Sequence, residues 1–310
     1  MTALVGYTGF VGSNIFANGK IDKAFNSKNI AEAFGLEPDL LIYAGLRAEK
    51  YLANSAPEKD MELILQAQEN IKKIAPKRLV LISTIDVIKN PTLKDENCEI
   101  ETDGLQAYGL NRYRLECWVR ENYPNALIIR LPGLYGINIK KNFIYDYINV
   151  IPFMLKEEKF NSLAEAEPAL KNYYAFQDNG FYKFTGAPLA EKRALREKFN
   201  ALGFSALNFT YSRSVYQFYP LSRLWSDIQT ALENNILLWH PATEPVSAAE
   251  LYRFLCGGEF KNELGAAPAN YDYRTAHAEA FGGKGGYICT KNEIMQSIKA
   301  FTEEILNAEK

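Results

Sequence analysis

The feature that most constrains this chain is its first fourteen residues. Ala3-Leu4-Val5 is a short apolar run, Gly6, Gly9 and Gly12 follow at G-x-x-G-x-x-G spacing, and Asn14-Ile15-Phe16-Ala17 continues as a helix. Strand, tight turn and helix start in direct succession make the geometry in which backbone N–H groups and a helix dipole meet a phosphate. The first glycine allows the sharp turn, the second the close approach of a pyrophosphate, and the third the packing of helix on strand. Thr8, Phe10 and Val11 complete this candidate cofactor loop. Glycine turns of this spacing also occur where nothing binds, so the remaining chain has to decide.

Beyond the turn, the pattern alternates strands with helices. Residues 22–26 form a short candidate strand. In a dinucleotide-binding unit an acidic residue is expected at its end, where it accepts from a ribose 2′-hydroxyl. Here the place reads Asn26-Ser27-Lys28, which tolerates or favours a 2′-phosphate, so NADP fits at least as well as NAD. A plain surface turn is the competing explanation. Leu40-Leu41-Ile42-Tyr43, ending in Ala44-Gly45, and Leu79-Val80-Leu81-Ile82, tipped by Ser83-Thr84, are continuous apolar runs of the kind buried on both faces of a parallel sheet. Between them, residues 60–74 have helical periodicity. A further helix is expected over 104–120, with Tyr108 and Arg112 four apart on one face, then a strand through Leu127-Ile128-Ile129-Arg130-Leu131.

Such alternation predicts an α/β chain with a doubly wound, Rossmann-type parallel sheet, its ligands lying off the carboxyl ends of the strands. We expect this domain over 1–137, with 204–240 returning to its sheet. A smaller α/β substrate-binding domain is expected from 138–203 and 241–310, substrate lying in the cleft between the two. Residues 204–209 and 215–219 read as strands, and the aromatic cluster at 173–184 as core or interface before a sugar platform.

Other properties narrow the function. The net charge of −2 offers no basic footprint for nucleic acid and no polybasic segment for a membrane surface. No apolar run approaches the roughly 18 residues of a membrane span, and the start is unlike a secretory signal, so a cytoplasmic location is expected. Four cysteines without C-x-x-C spacing and two histidines, His240 and His277, give no metal site. The expected partner is a small molecule.

Taken in order, Gly6-x-x-Gly9-x-x-Gly12, the strand ending in Ser83-Thr84, Tyr108 on the next helix, and Arg130-Leu131-Pro132-Gly133-Leu134-Tyr135-Gly136 resemble the extended short-chain dehydrogenase/reductases, the NAD-dependent epimerase/dehydratase family. Arg213 to Tyr219 and Pro245 to Leu251 extend the resemblance more weakly over most of the chain. It implies hydride transfer between NAD or NADP and a nucleotide-linked sugar or similar polyol. Thr84 would orient the reacting oxygen, Tyr108 would move the proton, and Arg112 stands where the family has a lysine that holds the nicotinamide ribose and lowers the tyrosine pKa. Ala44, Gly45, Asn26, Ser83, Leu131, Pro132 and Gly133 would contact the cofactor. Thr84, Gly133 and Arg213 would contact the substrate, with Gly133 at a place where many members have an asparagine. The resemblance also implies a homodimer, paired through helices like 104–120.

Arg112 is the main departure. A free phenol titrates near 10, so work at neutral pH needs a neighbouring cation. Arginine supplies a permanent charge, but its planar fork does not replace a compact ammonium at a tuned site. A catalytically lapsed NAD(P)-binding sensor or scaffold is therefore the alternative, and a reductase acting on a substrate without a nucleotide is a third. Arg47, just after Gly45, is open between cofactor phosphates and solvent. The literal Tyr-x-x-x-Lys at Tyr287 to Lys291 has no hydroxyl-tipped strand ahead of it, and we set it aside.

Overall fold

The computed structural model describes residues 1–177 and 180–308. Five strands early in the chain carry the sheet: β1 (Thr2–Val5), β2 (Lys23–Phe25), β3 (Leu40–Tyr43), β4 (Leu79–Thr84) and β5 (Leu127–Leu131). Leu238–Trp239 adds a sixth at one edge. Every pairing is parallel, and the order runs from that edge strand through β5, β4, β3 and β1 to β2. The doubly wound parallel sheet expected from the sequence is therefore present. The chain leaves β1 for β2 on one side and returns to β3 on the other, so the switch point lies at the carboxyl ends of β1 and β3.

The apolar runs are continuous because both faces of the sheet are covered. Ala3, Val5, Leu41, Leu79 and Leu81 pack on one face with Ile64, Ile71 and Ile74 of helix α3 (Pro57–Ile74) and Leu115 and Val119 of helix α4 (Ala107–Asn122). Leu4, Ile42, Val80 and Ile129 pack on the other with Ile15 of helix α1 (Phe10–Asn18) and with Leu224 and Ile228 of the helix Leu224–Glu233. Each such side chain stabilises the fold by about 1.5–3 kcal/mol relative to an exposed one. A short helix, α2 (Lys50–Ser55), links β3 to α3.

The chain divides into two compact units. The first comprises Met1–Ile139, Val215–Val246 and Asn270–Ser297. The second comprises Lys140–Ser214, Ser247–Ala269 and Ile298–Lys310. Its antiparallel sheet orders Met154–Lys156, Phe181–Phe184 and Tyr174–Gln177, and Phe160, Leu163, Tyr174, Leu195 and Phe199 form its core. Phe160 stacks on Tyr182 with ring centres 3.9 Å apart. Much of the aromatic cluster is thus packing material; Asp178 and Asn179 within it lie outside the described residues.

Two local expectations are corrected. Residues 206–209, read as part of a strand over 204–209, form a 3-10 helix because Ser205 and Asn208 make a reciprocal capping box. The strand expected at 215–219 is two short ones, Val215–Tyr216 and Phe218–Pro220, broken at Gln217. The Gln217 side chain donates to the carbonyls of Thr243 and Tyr273 at 2.6 and 2.9 Å. No described helix is long and apolar enough to cross a membrane.

Candidate active site

The opening turn has the geometry that its glycines predict. Gly6 sits at φ +93°, and a Cβ there would overlap the backbone of Ala44 and Gly45. A Cβ on Gly12 would overlap the Gly6 carbonyl, so α1 packs directly on the turn. Gly9 is the N-cap of α1, no side chain caps that end, and its first turn has no acid. Thr8 and Gly9 are exposed, and Phe10 and Val11 are half-buried. An uncapped helix N-terminus beside the β1/β3 switch point, in a cradle that a Cβ would fill, fits the pyrophosphate of a dinucleotide. At the end of β2, the Asn26 side chain accepts from the Lys28 N–H at 2.9 Å and leaves Ser27 and Lys28 exposed.

Thr84 and Tyr108 come together at the carboxyl end of β4. The Thr84 Oγ1 accepts from the Asp86 N–H at 3.2 Å, capping a single 3-10 turn, and its hydroxyl lies near the Tyr108 phenol. Helix α4 is anchored against this turn. A Cβ on Gly109 would overlap the Asp86 carbonyl, and the Tyr108 N–H donates to Asn54 Oδ1 at 2.9 Å. Tyr108 is 7% exposed. Burial pushes its phenol up; the Arg112 charge and the nearby Thr84 hydroxyl oppose that, while Asp86 and Asp60 add to it. Asp86 itself receives Lys50 Nζ at 3.0 Å and the Tyr271 hydroxyl at 3.3 Å.

Arg112 is held by the protein. Its Nη1 pairs with Asp60 Oδ2 and donates to the Tyr108 carbonyl at 3.3 Å, and its Nη2 donates to the Arg47 carbonyl at 2.8 Å. Its guanidinium carbon lies 4.0 Å from the centre of the Tyr108 ring. The Arg47 side chain is exposed.

Other expected site residues are spread differently. Ser83 is turned inward, and its hydroxyl donates to Glu116 Oε1 at 2.6 Å. Glu116 also takes Arg130 Nη2 at 2.7 Å, and Arg130 Nη1 lies 3.2 Å from His240 Nε2. Arginine only donates, so Nε2 accepts and Nδ1–H donates to the Arg274 carbonyl at 3.2 Å. Leu131 is buried, Pro132 half-buried and Gly133 exposed. Gly133 opens a strand, Gly133–Tyr135, paired with Phe218–Pro220. Arg213, in the second unit, pairs with Glu263 at 3.1 Å, and both are about two-thirds exposed. The Tyr287 hydroxyl donates to Asp272 at 2.6 Å, with Arg274 over its ring.

Sequence reasoning missed Asp60, Asn54, Asp86 and Gly109. A glycine directly after the candidate tyrosine, in the first turn of a helix, was the one signal available. The acids had none, because their partners lie far off along the chain.

No family model matches the chain, and no curated protein matches it by sequence. Solved structures do match over nearly its whole length. The dTDP-4-dehydrorhamnose reductase of Bacillus anthracis, in complex with NADP, is 14% identical with 98% of each chain covered and a TM-score of 0.62. RMD from Pseudomonas aeruginosa, complexed with NADPH, is 14% identical with 99% of each chain covered and a TM-score of 0.60. The UDP-N-acetylglucosamine 4-epimerase of Methanobrevibacter ruminantium, in complex with UDP-N-acetylmuramic acid, is 11% identical, covering 99% of this chain and 98% of that one, with a TM-score of 0.62. The fold is theirs. It is the fold of the extended short-chain dehydrogenase/reductases, which the sequence resembles.

Proposed function

We propose that this chain is an NAD(P)-dependent oxidoreductase or epimerase acting on a nucleotide-linked sugar or a similar polyol. The observation that carries the reading is the meeting of Thr84 and Tyr108 at the carboxyl end of β4, in the same unit as the glycine cradle of β1 and α1. Gly6, Gly9 and Gly12 would receive the pyrophosphate, with Ala44 and Gly45 against the dinucleotide. The exposed Lys28 supports a 2′-phosphate, and hence NADP, without excluding NAD. When bound, the nicotinamide supplies or accepts a hydride. Thr84 orients the reacting oxygen, and the Tyr108 hydroxyl gives or takes its proton. Burial keeps that phenol protonated at neutral pH, the form that donates to a carbonyl undergoing reduction. The second unit would contribute the substrate-binding surface, and a homodimer remains part of the proposal.

A second reading, a dinucleotide-binding protein without catalysis, is favoured by the tie between Arg112 and Asp60. Calorimetric titration with NADPH, NADH and a panel of dTDP- and UDP-linked sugars, followed by the nicotinamide absorbance, separates the two. Cofactor binding with substrate-dependent absorbance change, or with conversion of a panel sugar to its epimer at constant absorbance, supports the enzyme. Cofactor binding alone supports the sensor, and no binding of either dinucleotide overturns both.

A further inference from the structure

Asp60 belongs to no motif, yet it holds one side of the candidate site together. It lies in the first turn of α3, where the positive end of the helix favours a carboxylate. Its Oδ2 accepts from Arg112 Nη1 and, at 2.9 Å, from Asn111 Nδ2, which also donates to the Pro57 carbonyl at 3.2 Å. The side chains of Arg112 and Asp60 are 4% and 6% exposed. An arginine this deeply buried without an acid would leave an uncompensated charge, which costs several kcal/mol. The carbonyls of Arg47 and Tyr108 fix the plane of the guanidinium, and that plane places its carbon 4.0 Å from the Tyr108 ring centre.

We infer that Asp60 is a positioning residue: it holds the Arg112 guanidinium on the face of the Tyr108 ring and commits its fork to the protein in place of a cofactor ribose. The inference rests on Tyr108 as the proton-transferring group. It explains how an arginine occupies this position. A fork that is anchored from behind, by an acid on a neighbouring helix and a carbonyl after β3, presents a fixed charge to the phenol. A free arginine would sample many rotamers.

The test uses the full chain labelled with 15N-arginine, with the Arg112 side-chain signals assigned by their loss in Arg112→Lys. In the unaltered protein, Arg112 Hε is expected upfield, shifted by the Tyr108 ring, with resolved Hη signals because rotation is blocked. Asp60→Glu keeps a carboxylate and should retain the shift, whereas Asp60→Asn should lose it. NADPH affinity should change by less than about threefold in either variant. An unshifted Arg112 in the unaltered protein, a shift retained in Asp60→Asn, or NADPH binding weakened about tenfold or more in that variant would overturn the inference. If Asp60→Asn does not fold, the unaltered protein and Asp60→Glu decide. None of these signals requires turnover, so they fail or succeed separately from the role of Tyr108 in the reaction.

Discussion

Helix α4 carries two buried charged side chains one turn apart, Arg112 and Glu116, and each meets its partner in different surroundings. Glu116 lies inward from the strand ends, where it takes Arg130, Arg120 and Ser83 together, and Arg130 passes the contact on to His240. Arg112 lies at the end of β4 beside Tyr108, where its partner Asp60 comes from α3 and its guanidinium covers the tyrosine ring. The chemistry of the two pairs is the same. The Glu116 pair ties β4, β5 and the loop at Arg274 to α4. The Arg112 pair stands against the Tyr108 phenol, the group proposed to move the proton. Burial of an ion pair therefore says little about function until its neighbours are known.

The contrast can be broken from the structural side first. Glu116→Gln leaves Arg130 charged and 1% exposed, which should lower stability by about 3–5 kcal/mol in denaturant unfolding. Turnover per folded molecule should hold. A large loss of turnover without a loss of stability would show the division between the two pairs to be wrong.

Acid should act through the same network. Burial and the Arg130 charge lower the His240 pKa from 6.5 to about 3. The unfolded chain binds this proton below 6.5 and the folded one does not, so the stability is whole above pH 6.5 and is lost as pH falls from there toward 3. The full difference is on the order of 5 kcal/mol. Unfolding midpoints compared between the unaltered protein and His240→Gln, which cannot titrate, isolate it; identical pH slopes would remove His240 from the account.

Arg112→Lys is the corresponding probe at the strand ends. An ammonium keeps the charge but cannot hold Asp60 and the Arg47 carbonyl in one plane, so turnover should fall about tenfold, or ~1.4 kcal/mol. A large gain would instead favour the lapsed, non-catalytic reading. The smallest effect is expected at Arg213→Ala, whose pair with Glu263 is largely exposed: stability should move by less than about 1 kcal/mol.

What was legible in the sequence was local. Gly6 and Gly12 announce the turn because the first takes a positive φ and the second packs against the Gly6 carbonyl six residues before it. The runs at 40–43 and 79–82 announce buried strands because helices cover both faces. Asp60 with Arg112 and Arg130 with His240 are 52 and 110 residues apart, and no spacing rule joins them. The misread strand at 206–209 failed for a different reason. Ser205 and Asn208 satisfy the backbone locally and close a turn before it can extend. Ser83 and Thr84 were both read as site residues, although alternation along a strand sends neighbours to opposite faces; only Thr84 meets Tyr108, and Ser83 goes to Glu116.

The central claim is that Tyr108 transfers the proton. Tyr108→Phe removes one oxygen from a ring that packs under Arg112 and leaves the glycine cradle untouched. With a nucleotide sugar that supports turnover of the unaltered protein, this variant should bind NADPH as before and lose turnover by at least about a hundredfold, the lower range for a positioned acid. Turnover unchanged in Tyr108→Phe, with NADPH bound, would contradict the account.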